Sequence, residues 1–166
     1  MAIPFAGEEA IAMRNLLIVL LLLCCMPFVY AQQAHTQAVD QVLSQFHQAA
    51  AKADWDHYFS LLSDGAIFLG TDATERWTKE EFEGYARPTQ GWTYTEKLRH
   101  IIMSADNNTA WFDELLWNDS YGECRGSGVL VNEGSGWRLV QYNLTIPIPN
   151  SLARQITEQI IIHNQP

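Results

Sequence analysis

Near Pro88 the hydrophobic period of this chain changes, and that change limits what it can fold into. Upstream, residues 36–52 place Val39, Val42, Leu43, Phe46, Ala49 and Ala50 at helical spacing, which predicts an amphipathic helix of about five turns. Asp54 is placed to cap a second short helix, Trp55 to Leu62, closed by Ser63-Asp64-Gly65. Ala66 to Leu69 reads as a short strand. After a polar turn, Thr78 and Glu81 have the spacing of a capping box. That box opens a helix from Lys79 to Ala86, which Pro88 stops. Downstream, Trp92–Ser104, Thr109–Trp117, Arg125–Asn132 and Trp137–Pro147 are rich in aromatic and β-branched residues, as strands are. Turn signals at 105–108, 118–120 and 133–136 separate them. Four strands joined by short turns predict an antiparallel meander, and Ser151 to Ile162 returns to helical patterning. The order predicts an α+β domain, and a strongly bent sheet with helices on its concave side encloses an apolar cavity.

The N-terminal residues follow a different logic. Leu16 to Cys25 is an unbroken apolar run, preceded by Arg14 and followed by Pro27 and Val29-Tyr30-Ala31. This is the pattern of a cleavable secretory signal, and the run is short for a membrane span, which needs about 20 apolar residues. Glu8 and Glu9 are the wrong sign for a signal's leading segment, so Met13 is the expected start and Ala31 the expected last residue removed. Residues 1–31 are therefore read as N-terminal extension and signal, 36–150 as the domain and 151–166 as a C-terminal helix and tail. The expected location is secreted or periplasmic. Removing 1–31 leaves 17 acidic and 9 basic side chains, a net charge of −8. That balance argues against nucleic acid and anionic lipid as partners. It also leaves one cysteine, Cys124, so stability must come from the core; an apolar fraction of 48 % and six tryptophans supply one.

Three stretches carry a resemblance: Gly70 to Trp77 (GTDATERW), Ala110 to Phe112 (AWF) and Gly136 to Thr145 (GWRLVQYNLT). They resemble the SnoaL-like domain of the nuclear transport factor 2-like superfamily, over about Val39 to Pro149. The resemblance implies a cone of three helices packed into a strongly curved, mostly antiparallel sheet, with a pocket at the open end. Relatives range from ketosteroid isomerase, polyketide cyclases, epoxide hydrolases and dehydratases to non-catalytic binding or assembly modules. Some members end the last strand in His-x-His-x-Ser, where this chain has Gln141, Asn143 and Thr145; an imidazole base is therefore missing there. Asp113 and Tyr142 are the residue types of the ketosteroid isomerase pair, on plausible strands but not on matching motifs.

Strand alternation puts Trp137, Leu139, Gln141, Asn143 and Thr145 on one face of the last strand, with Tyr142 and Leu144 on the other. The amide and hydroxyl groups either line a wet cavity or lie on the outer face. Arg125 is placed either to hold an anion or to bridge to Asp113 or Glu114. Those two acids are adjacent, so they point to opposite faces, and one of them is the candidate base if burial raises its pKa. Trp55, Tyr58, Trp77 and Phe112 are candidates for a ring-binding lining as well as for core. No metal site is expected, because the five histidines are scattered, and no cofactor is called for. The function expected is binding of a small, largely apolar molecule in the cone, with room for isomerase, dehydratase or hydrolase chemistry. The alternative is a non-catalytic dimerisation or assembly module, and a homodimer is the expected assembly.

Overall fold

A computed structural model describes residues 14–15 and 32–165 of the chain. The expected signal segment, the Met13 start and the cleavage point at Ala31 lie outside the described residues. From residue 32 onward the elements run α1 (32–51), α2 (Trp55–Ser60), β1 (Leu62–Leu69), β2 (Arg76–Thr78), α3 (Lys79–Ala86), β3 (Thr95–Met103), β4 (Thr109–Asn118), β5 (Gly122–Asn132), β6 (Trp137–Thr145) and α4 (Ala153–His163). The strands form one six-stranded curled sheet in the order β2-β1-β6-β5-β4-β3. β3 to β6 are the antiparallel meander that the turn residues predict. β1 closes onto β6 in parallel, and β2 pairs antiparallel on the far side of β1. From residue 32 onward the described residues thus form an α+β fold with four helices and a mixed sheet.

Local chemistry explains most of the boundaries. α1 ends where Ala53 takes φ 52°, with Asp54 N bonding Ala49 O at 2.9 Å and Ala53 N bonding Ala50 O at 3.2 Å. This is a Schellman closure with alanine in the left-handed position that glycine usually fills. Asp54 then caps α2 by accepting from His57 N. The capping box at α3 forms as its spacing requires: Thr78 Oγ1 accepts from Glu81 N, and Glu81 Oε2 accepts from Thr78 N. The sequence places the residues of β2 in and beside a polar turn, with no strand signal. These three residues are too few to show a period, and pairing with Ile67–Leu69 of β1 creates the strand.

The last strand departs from the uniform alternation expected of it. Leu130 pairs with Leu139 while Val129 pairs with Gln141, so β6 carries a bulge at Val140. One extra residue reverses which face the following side chains take. Trp137 and Leu139 are buried before the bulge, and Tyr142 and Leu144 are buried after it. Val39, Leu43 and Phe46 of α1, Tyr58 and Phe59 of α2, and Phe82 of α3 complete the core against this inner face. α4 differs from the other helices in burying none of its residues.

Candidate functional site

Two chemically distinct regions share the inner face. The first centres on Glu114 of β4, which is fully buried. Its Oε1 lies 2.7 Å from His47 Nε2 of α1 and accepts the Tyr142 hydroxyl at 3.1 Å. An ionised carboxylate only accepts, so Nε2 carries the proton in this contact. On the other side Arg99 of β3 donates Nε to Oε2 at 2.9 Å, with Nη2 at 2.8 Å from the same oxygen. Arg99 Nη1 reaches out to Asp40 Oδ1 at 2.7 Å, Glu96 Oε2 at 2.9 Å and Ser44 Oγ at 3.2 Å. The network therefore ties α1 to three strands.

The sequence makes room for it. Gly126 lies opposite Glu114 in the β4–β5 register. A Cβ there would run into the Tyr142 hydroxyl and lie 2.6 Å from Glu114 Oε1. Only glycine lets Tyr142 reach across β5 to the carboxylate. Burial pushes the Glu114 carboxyl up, but hydrogen bonding and charge from His47, then Arg99, outweigh it and hold the group below its ordinary range. For Tyr142, burial and the neighbouring Glu114 charge act together, so the phenol stays protonated well beyond its ordinary range.

The second region is a cavity of about 210 Å³ where β1, β2, α3 and the end of β6 meet. Phe68, Trp77, Phe82 and Tyr85 form a stack beside it, with Phe68 and Phe82 centroids 3.8 Å apart and Trp77 and Tyr85 4.9 Å apart. Trp92, Tyr94 and Tyr121 complete the aromatic wall, and Gly70, Thr71 and Glu75 form the rim. Burial, followed by the nearby Cys124, Tyr121 and Tyr85, pushes the Tyr94 phenol up to about 12. Phe68 links the regions, since its ring stacks on Tyr142 at 5.5 Å. Tyr58 is wholly buried beneath, and its hydroxyl has no hydrogen-bond partner among the described residues.

These positions sort the candidates from the sequence. Trp77 lines the cavity. Trp55, Tyr58 and Phe112 are buried core rings, and Tyr142 serves the Glu114 network. Gln141 and Asn143 stand on the outer face, because the bulge reverses their direction. Arg125 is exposed opposite Leu115. It enters no ion pair among the described residues, neither with Asp113 nor with Glu114. Asp113 is also outside, 3.1 Å from His100 Nδ1. The two acids do take opposite faces, and Glu114 is the inner one. A base with a raised pKa is not what results: the Glu114 carboxyl is lowered, and both its oxygens are taken. Glu75 stands where the sequence places it, on the loop at the cavity rim, whereas His47, Arg99 and Tyr94 carry no sequence signal that marks them for the site. His47 comes nearest to one, since it follows Phe46 within the apolar stripe of α1.

Residues 39–149 match the SnoaL-like domain family. The chain belongs to that family. Solved structures repeat the fold at low identity. A candidate dehydratase of the nuclear transport factor 2-like family from Streptomyces avermitilis is 14 % identical at a TM-score of 0.57, over 70 % of this chain and 99 % of that one. A nuclear transport factor 2-like protein of unknown function from Pseudomonas putida is 13 % identical at 0.56, over 71 % and 89 %. A protein of unknown function with a cystatin-like fold from Nostoc punctiforme is 13 % identical at 0.58, over 68 % and 90 %. At these identities the likeness concerns the fold alone. No curated protein matches the chain.

Proposed function

We propose that this protein is a binding domain that takes a small, largely apolar, ring-bearing molecule into the aromatic cavity, without acid–base catalysis. One observation supports this above the others. The rings surround an open space, while the buried carboxylate that would serve as a base lies outside that space with both oxygens occupied. A general base needs a free lone pair and a pKa near the working pH. A binding pocket needs apolar walls and a few polar groups. A cavity of about 150 Å³ already admits benzene, so about 210 Å³ suits one ring with a small substituent. In this reading the curled sheet forms the cone expected of the family, and the cavity is its mouth. The apolar run behind Arg14 directs the chain out of the cytoplasm, and the mature protein begins at Gln32.

Native mass spectrometry of protein purified from its own compartment tests the reading. A retained small molecule, absent when Leu144→Trp fills the cavity, is the expected result. Unchanged retention in that variant, or no binding of any single-ring probe at millimolar concentration, contradicts it. The same spectrum reads the N-terminus through the intact mass.

A second, compatible reading rests on the outer face of the sheet. Ile102, Trp111 and Val129 form one cross-strand row there, and Leu98 and Leu115 begin a second beyond the polar row of His100 and Asp113. Leu98, Ile102 and Trp111 are exposed, and an apolar row of this kind is a surface that a second copy covers. We expect a homodimer that Trp111→Glu converts to monomer in light scattering. A monomeric wild-type protein at micromolar concentration contradicts this.

A further inference from the structure

We infer that the molecule bound in the aromatic cavity carries a positive charge, of the quaternary-ammonium or alkylamine class; this rests on the binding reading above. Five π-systems, those of Trp77, Tyr85, Trp92, Tyr94 and Tyr121, line the wall. Aromatic faces carry the negative end of the ring quadrupole and attract a cation held within about 6 Å. Glu75 is the charged residue among the described residues lining the cavity, and none of these is a lysine, arginine or histidine. Glu75 Oε2 accepts the Asp72 amide at 3.1 Å, which fixes the carboxylate at the rim. Among the described residues Glu75 enters none of the ion pairs, whereas Lys79 is turned toward Asp64 and Arg87 toward Asp56 and Glu83. An anionic ligand would meet a carboxylate and aromatic rings, with no cation among the described lining residues. A cation meets both with the right sign. A neutral ring gains from the walls and leaves the Glu75 charge unused.

Gly70 belongs to the same arrangement. A Cβ at that position would collide with the Glu75 carboxylate, so glycine is what lets the acid fold back over the loop toward the cavity rim. Tyr85 and Tyr121 are more than half exposed and leave a path from solvent. The net negative charge of the mature chain draws cations toward that opening.

Calorimetric titration of the mature protein with three probes decides the matter: choline, its uncharged carbon isostere 3,3-dimethylbutan-1-ol, and p-cresol. Choline is expected to bind at least about tenfold more tightly than the isostere, as a desolvated cation–π site with a carboxylate provides. Glu75→Gln keeps an oxygen to accept the Asp72 amide, so the loop is retained. It is expected to weaken choline about tenfold and leave p-cresol unchanged. Equal binding of choline and its isostere, or indifference of choline to Glu75→Gln, overturns the cation inference while p-cresol binding keeps the cavity reading in place. Failure of all three probes to bind overturns both.

Discussion

Replacing Glu114 by glutamine removes a buried charge but leaves Arg99 and His47 packed around its site. Breaking one partner of a buried pair strands the other, and the expected loss is about 3 kcal/mol in a denaturant melt. Ligand binding by molecules that remain folded should not change. The wild-type pH profile carries the same signature. The folded Glu114 carboxyl titrates below its ordinary value of 4.5. Its contribution is therefore complete above that value and is lost as pH falls through the folded one. Urea midpoints measured from pH 7 to pH 3 should fall on acidification in the wild type and fall less steeply in Glu114→Gln. Equal slopes would show that Glu114 is not the group responsible. Gly126→Ala probes the same network from the opposite strand. Its methyl group must push aside Tyr142 and Glu114, which overpacking studies put at about 1–3 kcal/mol. Ala53→Gly should act in reverse and stabilise by about 0.5–1 kcal/mol, because glycine takes a positive φ without strain.

At the scale of elements, α4 is separable from the rest. It buries no residue, and apolar burial is where most helix stability in proteins arises. Ending the chain after Asn150 should leave the thermal midpoint within about 2 °C of the full-length protein, since about 1 kcal/mol moves a domain of this size by roughly that amount or more. A larger drop in scanning calorimetry would mean that α4 packs on the domain. The elements also show what a sequence can and cannot reveal. α3 was legible to the residue, because a capping box and a proline state both of its ends in local chemistry. The meander strands were legible because period two and turn residues are local signals too. β2 and the bulge at Val140 were not, since both exist only through pairing with distant strands. That bulge alone moved Gln141 and Asn143 from candidate pocket residues to the outer face. The Glu114 network was hidden for a related reason. His47, Arg99 and Tyr142 lie 67, 15 and 28 residues away along the chain, and no spacing rule unites them.

Across the whole molecule the inner face is divided between a buried charged network and an aromatic cavity. Arg99, Glu114 and His47 hold α1 onto the sheet, and the rings beside β1, β2 and α3 enclose the cavity. The family likeness was visible in three short stretches, yet the division was not, because it depends on which side chains the curled sheet brings together. The most direct test of this division is a titration of the intrinsic tryptophan fluorescence of residues 32–166 with p-cresol and with choline. Trp77 and Trp92 border the cavity and report its filling. Saturable quenching in the wild type, retained in Glu114→Gln and abolished in Leu144→Trp, is the result expected. Quenching lost in Glu114→Gln while Leu144→Trp still binds would place the ligand on the buried carboxylate and contradict the account.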